Sequence, residues 1–302
     1  MVEVCLLGTG GMSPSPYRYL TALYARCNGT DLLIDCGEGT QMALSKSGLS
    51  SVGTDIICIT HFHADHVTGL PGFLLSMANG GRTKPVTIIG PKGLEKMVRS
   101  LCVVAVDLPF SIRYKEICEN YEKMKFGAFE IEAFRVNHSI ECYGYKLNVN
   151  RAGKFDVDRA NKLGIPSEYW GYLQKGRKIE YNGVEYEPSM VLGEARKGIH
   201  VTYVTDTRPT DKIVEFAKDS DLFICEGMYG DESDKCKAIE KKHMTFMEAA
   251  LIGREAAPDR MWLTHYSPSM KRPVDYLDSA RAVFGNIMAA RDGWNVNLNY
   301  KE

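Results

Sequence analysis

The stretch Ile59-Thr60-His61-Phe62-His63-Ala64-Asp65-His66-Val67-Thr68-Gly69-Leu70-Pro71-Gly72 decides how the rest of the chain is read. It sets three of the chain's seven histidines and one aspartate directly behind the apolar run DIICIT at 55–60. A lone histidine beside a strand is usually a hydrogen-bonded core or surface residue. That reading suits His200, which has no polar partner nearby in the sequence. It does not suit His61-x-His63-x-Asp65-His66, where four donor side chains crowd one point.

Other apolar runs deliver the same residue types at their carboxyl ends. FEIEAFRV at 129–136 leads to His138, VTYVT at 201–205 to Asp206, and MWLT at 261–264 to His265. Ligands of α/β sheets gather outside the carboxyl ends of strands. Five histidines and two aspartates exceed the four ligands of a closed structural zinc site. They suit two metals that share a bridging carboxylate and keep coordination open for water and substrate. Imidazole and carboxylate without thiolate favour zinc, with manganese, iron or cobalt as further choices.

Further short β-branched runs stand at 4–7, 32–35, 86–90 and 222–225, and helical patterns at 38–47, 69–79, 93–104, 211–218, 245–256 and 274–290. Thr245 and Glu248 have capping-box spacing ahead of an apolar run. Strands mixed with helices along the whole length predict an α/β layered protein in a single domain over 1–302. Only 150–198 differs. Its apolar period weakens, Asn182-Gly183 between IEY and VEY signals a tight hairpin, and 151–178 carries seven Lys/Arg against three Asp/Glu. This segment reads as an inserted arm.

With 44% apolar and 25% charged residues, the composition is that of an ordinary globule. The net charge of −1 gives no global pull toward nucleic acid or anionic membrane, so an RNA site must be a local patch. The N-terminus MVEVCLLGTGG is acidic where a signal peptide is basic, and no apolar run is long enough to span a bilayer. Nine scattered cysteines without a CxxC pair read as reduced thiols of a cytoplasmic protein.

HFHADH resembles the HxHxDH signature of the metallo-β-lactamase superfamily. Its neighbours narrow the resemblance. LLGTGGMSPS at 6–15, LLIDCGEGTQ at 32–41, NHSIECYGY at 137–145, VTDTRPTD at 204–211, KKHMTFMEAA at 241–250 and LTHYSP at 263–268 look like tRNase Z, in that family's order. GKFDVDRANKLGIP and YLQKG in the arm look like the segment that binds the tRNA elbow in the family. Three stretches depart from the family pattern. They are Cys225-Glu226-Gly227-Met228, the loop Pro14 to Tyr19, and Ile165 to Trp170, which lacks a Gly-Pro pair.

The resemblance implies a four-layer αββα sandwich with an inserted tRNA-binding arm at 150–198. By motif position, His61, His63 and His138 would bind one zinc, and Asp65, His66 and His265 the second. Asp206 would bridge them, and Asp35 would orient ligand imidazoles. Asp65 would take the proton of the attacking water, and a His243–Glu226 pair would protonate the leaving 3′ oxygen. The expected activity is endonucleolytic removal of the 3′ trailer of precursor tRNA by a homodimer. Tyr169, Trp170, Tyr172, Arg177 and Lys178 are the candidate RNA contacts of the arm. The alternative is another hydrolase of the superfamily, acting on a small phosphodiester or a lactone.

Overall fold

The computed structural model describes residues 1–301. Two seven-stranded sheets form its frame. The first combines β1 (Val2–Gly8), β2 (Ala22–Cys27), β3 (Thr30–Ile34), β4 (Thr54–Cys58), β5 (Val86–Pro91) and β6 (Ile112–Ile117) with the last strand, β16 (Trp294–Leu298), in the order β16-β1-β2-β3-β4-β5-β6. The second runs β15-β14-β13-β12-β9-β8-β7. Its strands are β7 (Tyr121–Phe126), β8 (Phe129–Arg135), β9 (Tyr143–Arg151), β12 (Arg196–Val204), β13 (Leu222–Glu226), β14 (Met261–Thr264) and β15 (Ile287–Ala289). Strands β3 to β6 pair in parallel, as do β12 to β15. Parallel strands need crossover helices, and these cover one face of each sheet.

On the first sheet the helices are α1 (Thr40–Lys46), the short α2 (Ala64–Val67), α3 (Leu70–Asn79) and α4 (Leu94–Leu101). Leu44, Phe73, Leu74 and Val98 pack there with Leu7, Tyr24, Ile57 and Ile88. On the second sheet, α7 (Asp211–Ala217), α9 (Phe246–Ala256) and α10 (Leu277–Val283) bring Ile213, Phe246, Ala250 and Leu277 onto Phe134, Phe223 and Leu263. A further helix, α8 (Lys235–Lys241), precedes α9. The other faces of the sheets meet, and the Tyr145 hydroxyl donates to the Ile59 carbonyl at 2.7 Å across them. This is the expected four-layer α/β sandwich.

Differences from the expected elements have local causes. The pattern at 274–290 ends as helix at Val283, and 287–289 joins the sheet as β15. Phe284 is already extended, and Gly285 cannot resist the break. The sequence reading does not include β6 and β7, IRYKEI and YEKMKF, because each carries three charged residues and no unbroken apolar run. His200 lies inside β12. Contrary to the sequence reading it has partners: Asn148 Oδ1 at 2.6 Å from Nδ1, and Asp221 Oδ2, which accepts from its amide.

The chain divides into two compact units, 1–148 with 200–299, and 149–199 with 300–302. The smaller contains α5 (Val157–Lys162), α6 (Ser167–Gln174) and the hairpin β10 (Ile179–Tyr181) and β11 (Val184–Tyr186), whose turn is Asn182-Gly183. Ala160, Ile165, Leu173 and Val191 form its core. Three of the residues read as RNA contacts are used inside this unit, and one of them, Tyr169, packs on its core and against the Tyr181 ring. The Trp170 indole packs on that core and donates to the Ile165 carbonyl at 2.9 Å. Lys178 pairs with Glu185 at 3.1 Å and Glu187 at 2.5 Å. Tyr172 and Arg177 remain exposed. No helix among the described residues is long and apolar enough to cross a membrane. All nine cysteines are free, and seven of them are buried.

Candidate active site

Four strands end at one point. The loop after β4 carries His61 and His63 and leads into α2 with Asp65 and His66, the loop after β8 carries His138, that after β12 carries Asp206, and β14 runs directly into His265. The backbone works to aim them. Asp35, Asp206 and His265 all adopt positive φ (59°, 47° and 58°). Left-handed backbone costs a non-glycine residue about 1–3 kcal/mol, and such residues persist where the surrounding structure fixes them. Gly37, in DCGEGTQ, shows how tight the support is, for a Cβ there would sit 2.5 Å from the Asp65 carbonyl. Gly11 is equally constrained. A Cβ there would meet the His265 ring at 2.6 Å.

The donors fall into groups. One atom each of His61, His63, His138 and Asp206 lie together, as do those of Asp65, His66 and His265. Asp206 faces both. Its Oδ2 is 3.6 Å from His61 Nε2 and 3.7 Å from His138 Nε2. Its Oδ1 is 3.2 Å from His66 Nε2 and 3.0 Å from His265 Nε2. Asp206 Oδ1 and His61 Nε2 are nevertheless buried without a hydrogen-bond partner. Imidazole nitrogens also face each other, His63 Nδ1 to His138 Nε2 and His66 Nε2 to His265 Nε2, at 3.2 Å each.

A buried set of orphaned and mutually facing lone pairs is costly unless a cation lies between them. The far nitrogens fix the tautomers. His66 Nδ1 meets Asp35 Oδ2 at 2.8 Å, and His138 Nδ1 donates to the Lys242 carbonyl at 3.2 Å. Both Nε2 lone pairs therefore point inward. Asp35 in turn accepts from the Thr60 amide at 2.8 Å.

Charge agrees with this geometry. Burial holds His61, His63 and His138 below the ordinary histidine pKa, so they offer neutral lone pairs. Burial works to discharge His66 too, but Asp206, Asp35 and Asp65 push it well above the usual value. Burial opposes ionisation of Asp65 and Asp206, yet the histidines around them hold both carboxyls below the usual range. The carboxylates thus demand positive charge here, which divalent metal would supply. The residues fit a divalent metal centre.

His243 stands at the edge, its Nε2 4.0 Å from Asp206 Oδ2. Its Nδ1 is 3.2 Å from both carboxylate oxygens of the buried Glu226. Burial lowers its pKa, but Glu226 overrides that and raises it to about 9. Glu226 is itself fixed, accepting the Thr207 amide at 2.6 Å and the Met244 amide at 3.0 Å.

Sequence reasoning did not single out Arg208. Its guanidinium donates to the His243 carbonyl and grips Glu248 with two nitrogens. Glu248 completes the Thr245 capping box at the start of α9. Thr207 and Arg208 therefore act on the His243 segment, the first through Glu226 and the second directly. Arg208 sits in DTRP beside Asp206, but its partner is far along the chain, so no spacing rule reveals the contact.

Comparison with known proteins agrees with this arrangement. Residues 2–163 match the family model described as Anti-Pycsar protein Apyc1. Ribonuclease Z of Lachnospira eligens is 52% identical over 302 residues, covering 100% of this chain and 99% of its own. Ribonuclease Z of Agathobacter rectalis is 51% identical, with both chains covered in full. Among solved structures, the short form of human tRNase Z superposes with a TM-score of 0.70 at 25% identity, covering 98% of this chain and 99% of its own. Such identity, sustained from end to end by a chain with this constellation of donors, establishes that the chain belongs to the ribonuclease Z family.

Proposed function

We propose that the protein is a metal-dependent endoribonuclease that removes the 3′ trailer of precursor tRNA. The observation that carries the reading is the pairing of a two-sided histidine–aspartate cluster with an adjoining His243–Glu226 couple, whose imidazole reaches Asp206 and His265 on one side and is held by Glu226 on the other. Hydrolysis of an unactivated phosphodiester needs both parts, one to activate water and one to protonate a poor leaving group.

His61, His63 and His138 would hold one zinc, Asp65, His66 and His265 the other, with Asp206 across both. The two-faced placement of the Asp206 oxygens supports that division. Two divalent cations held by these residues would supply a lowered pKa for bound water and charge neutralisation for the phosphodiester oxygens. Asp65 Oδ2, held by the Met12 amide at 2.6 Å, accepts the proton of the attacking water. His243 gives its Nε2 proton to the leaving 3′ oxygen, while Glu226 keeps the imidazole charged and oriented. Exposed Tyr172 and Arg177 of the smaller unit supply stacking and phosphate contacts to tRNA. We assign the active form as a homodimer, on the resemblance to the family. Light scattering that returns the 33.8 kDa mass of one chain at working concentration would exclude it.

The deciding assay incubates the zinc- or manganese-loaded protein with precursor tRNA and maps both new ends. One cut should leave a 3′-hydroxyl on the tRNA body and a 5′-phosphate on the trailer. Exonucleolytic ladders, or no cleavage by a metal-loaded protein, would exclude the reading.

A further inference from the structure

Two loops that frame the candidate site continue into a cavity that the mechanism above does not use. The first passes Gly11 against His265 and Met12 on Asp65, then reaches Tyr17 and Arg18. The second leaves His265 and reaches Lys271 and Arg272. Arg18 ties the two together, donating to the Lys271 carbonyl at 3.0 Å and to that of Met270, with its guanidinium over the Tyr266 ring. Behind them lies a cavity of about 620 Å³, within the range of small-molecule sites.

Its lining is strongly one-signed. Arg18, Lys271, Arg272, Arg281 and Arg291 contribute five cations, and Asp292 the single carboxylate. That carboxylate is already used, accepting from the Thr9 amide and hydroxyl at 2.9 and 2.7 Å and from the Tyr19 amide at 2.6 Å. Arg272 pairs with Asp275 at 3.3 Å, and Arg281 points to the Ile287 carbonyl at 3.5 Å. Lys271 and Arg291 have no carboxylate partner among the described residues. Arg291 lies over the Trp294 ring, 5.6 Å from its centroid. Leu277, Met288 and Trp294 give the cavity an apolar side. Cations that converge on a concave, partly aromatic surface select a ligand with both an anionic and a flat apolar part.

We propose that this cavity is a second nucleotide site beside the metal centre, which takes a 5′-phosphorylated nucleotide with its phosphate on Lys271 and Arg291 and its base toward Met288 and Trp294. The chemistry fits a free nucleoside 5′-monophosphate and the 5′-phosphorylated end of a released RNA trailer equally. The second source rests on the ribonuclease Z reading, whereas the first does not.

The test titrates the zinc-loaded protein and its Lys271→Ala/Arg291→Ala variant with adenosine 5′-monophosphate, and follows hydrolysis of bis-p-nitrophenyl phosphate in parallel. The parent should bind the nucleotide at a site that does not compete with that small substrate. The variant should bind there roughly tenfold or more weakly, the size of one charged hydrogen bond, with metal content retained. Nucleotide binding that is wholly competitive, or equal in parent and variant, overturns the proposal.

A 5′-phosphorylated trailer oligonucleotide and its 5′-hydroxyl counterpart then separate the sources. If the trailer is the occupant, the phosphorylated oligonucleotide displaces adenosine monophosphate from the parent and inhibits precursor cleavage less in the variant. If a free nucleotide is the occupant, adenosine monophosphate binding falls in the variant while neither oligonucleotide displaces it from the parent. A parent protein that binds the nucleotide at the second site but cuts no precursor would sink the ribonuclease Z reading and leave the cavity's assignment standing.

Discussion

Glu226→Gln isolates the charge that holds His243 protonated. The carboxylate lies 3.2 Å from Nδ1 through both oxygens, and its pull raises the imidazole pKa from 6.5 to about 9 against an opposing burial effect. That difference corresponds to about 3 kcal/mol in favour of imidazolium. With the charge gone, Asp206 alone is left to oppose burial, and the pKa falls toward the ordinary value. At pH 8 a group with pKa about 9 is roughly nine-tenths protonated, and one with pKa 6.5 roughly 3%. If His243 is the proton donor, kcat for precursor tRNA at pH 8 should drop about 30-fold, shrinking toward parity near pH 6.

The same substitution sets an amide NH₂ against either the Thr207 or the Met244 amide, at a cost of about 1–3 kcal/mol. Stability carries its own sign. A folded-state pKa above 6.5 contributes stability that is complete below pH 6.5 and lost as pH rises through about 9. The thermal destabilisation of Glu226→Gln should therefore be larger at pH 6 than at pH 10. The assay is kcat against pH for precursor tRNA and for bis-p-nitrophenyl phosphate, whose leaving group hardly needs a proton. A uniform loss at every pH, equal on both substrates, would refute the proton-donor argument and leave Glu226 as packing alone.

Asp206→Ala removes the carboxylate that faces both donor groups, so metal measured by mass spectrometry should fall together with activity on both substrates. Full metal content in that variant would contradict the shared-ligand assignment. Gly11→Ala places a Cβ 2.6 Å from the His265 ring, which must turn away. Activity should drop by about 10²-fold or more, the scale of a misplaced catalytic group, and unchanged turnover would show that His265 is dispensable. Lys175→Ala with Arg177→Ala, both exposed on the smaller unit, should raise KM for precursor tRNA, flatten its salt dependence and leave bis-p-nitrophenyl phosphate hydrolysis intact. An unaltered KM would remove that unit from substrate binding.

The metal-type residues were legible because their signal is local. His61 to His66 are contiguous, and each remaining donor follows an apolar run that forms a strand. The layered fold was legible for the same reason. Buried parallel strands such as β5 and β13 read as largely apolar runs, VTIIG and LFIC. Strands β6 and β7 were not, since they are largely half-buried or exposed and charged residues break up their apolar pattern. Nor were the contacts made through space. The grip of Arg208 on the His243 carbonyl and the two amides that hold Glu226 join segments that only the fold brings together. Composition alone also hides a charge balance in the smaller unit. The basic run 151–178 stands beside Glu180, Glu185, Glu187 and Glu194, and Lys178 is neutralised by two of them.

The most direct measurement is end mapping, at single-nucleotide resolution, of precursor tRNA cleaved by the metal-loaded protein and by its His243→Ala variant. The parent should make one endonucleolytic cut that yields a 3′-hydroxyl tRNA and a 5′-phosphorylated trailer. The variant should keep its metal and cut at the same position about 10²–10⁴-fold more slowly. A parent that leaves precursor tRNA intact while hydrolysing bis-p-nitrophenyl phosphate, or a variant that cuts at the parent rate, would contradict the account.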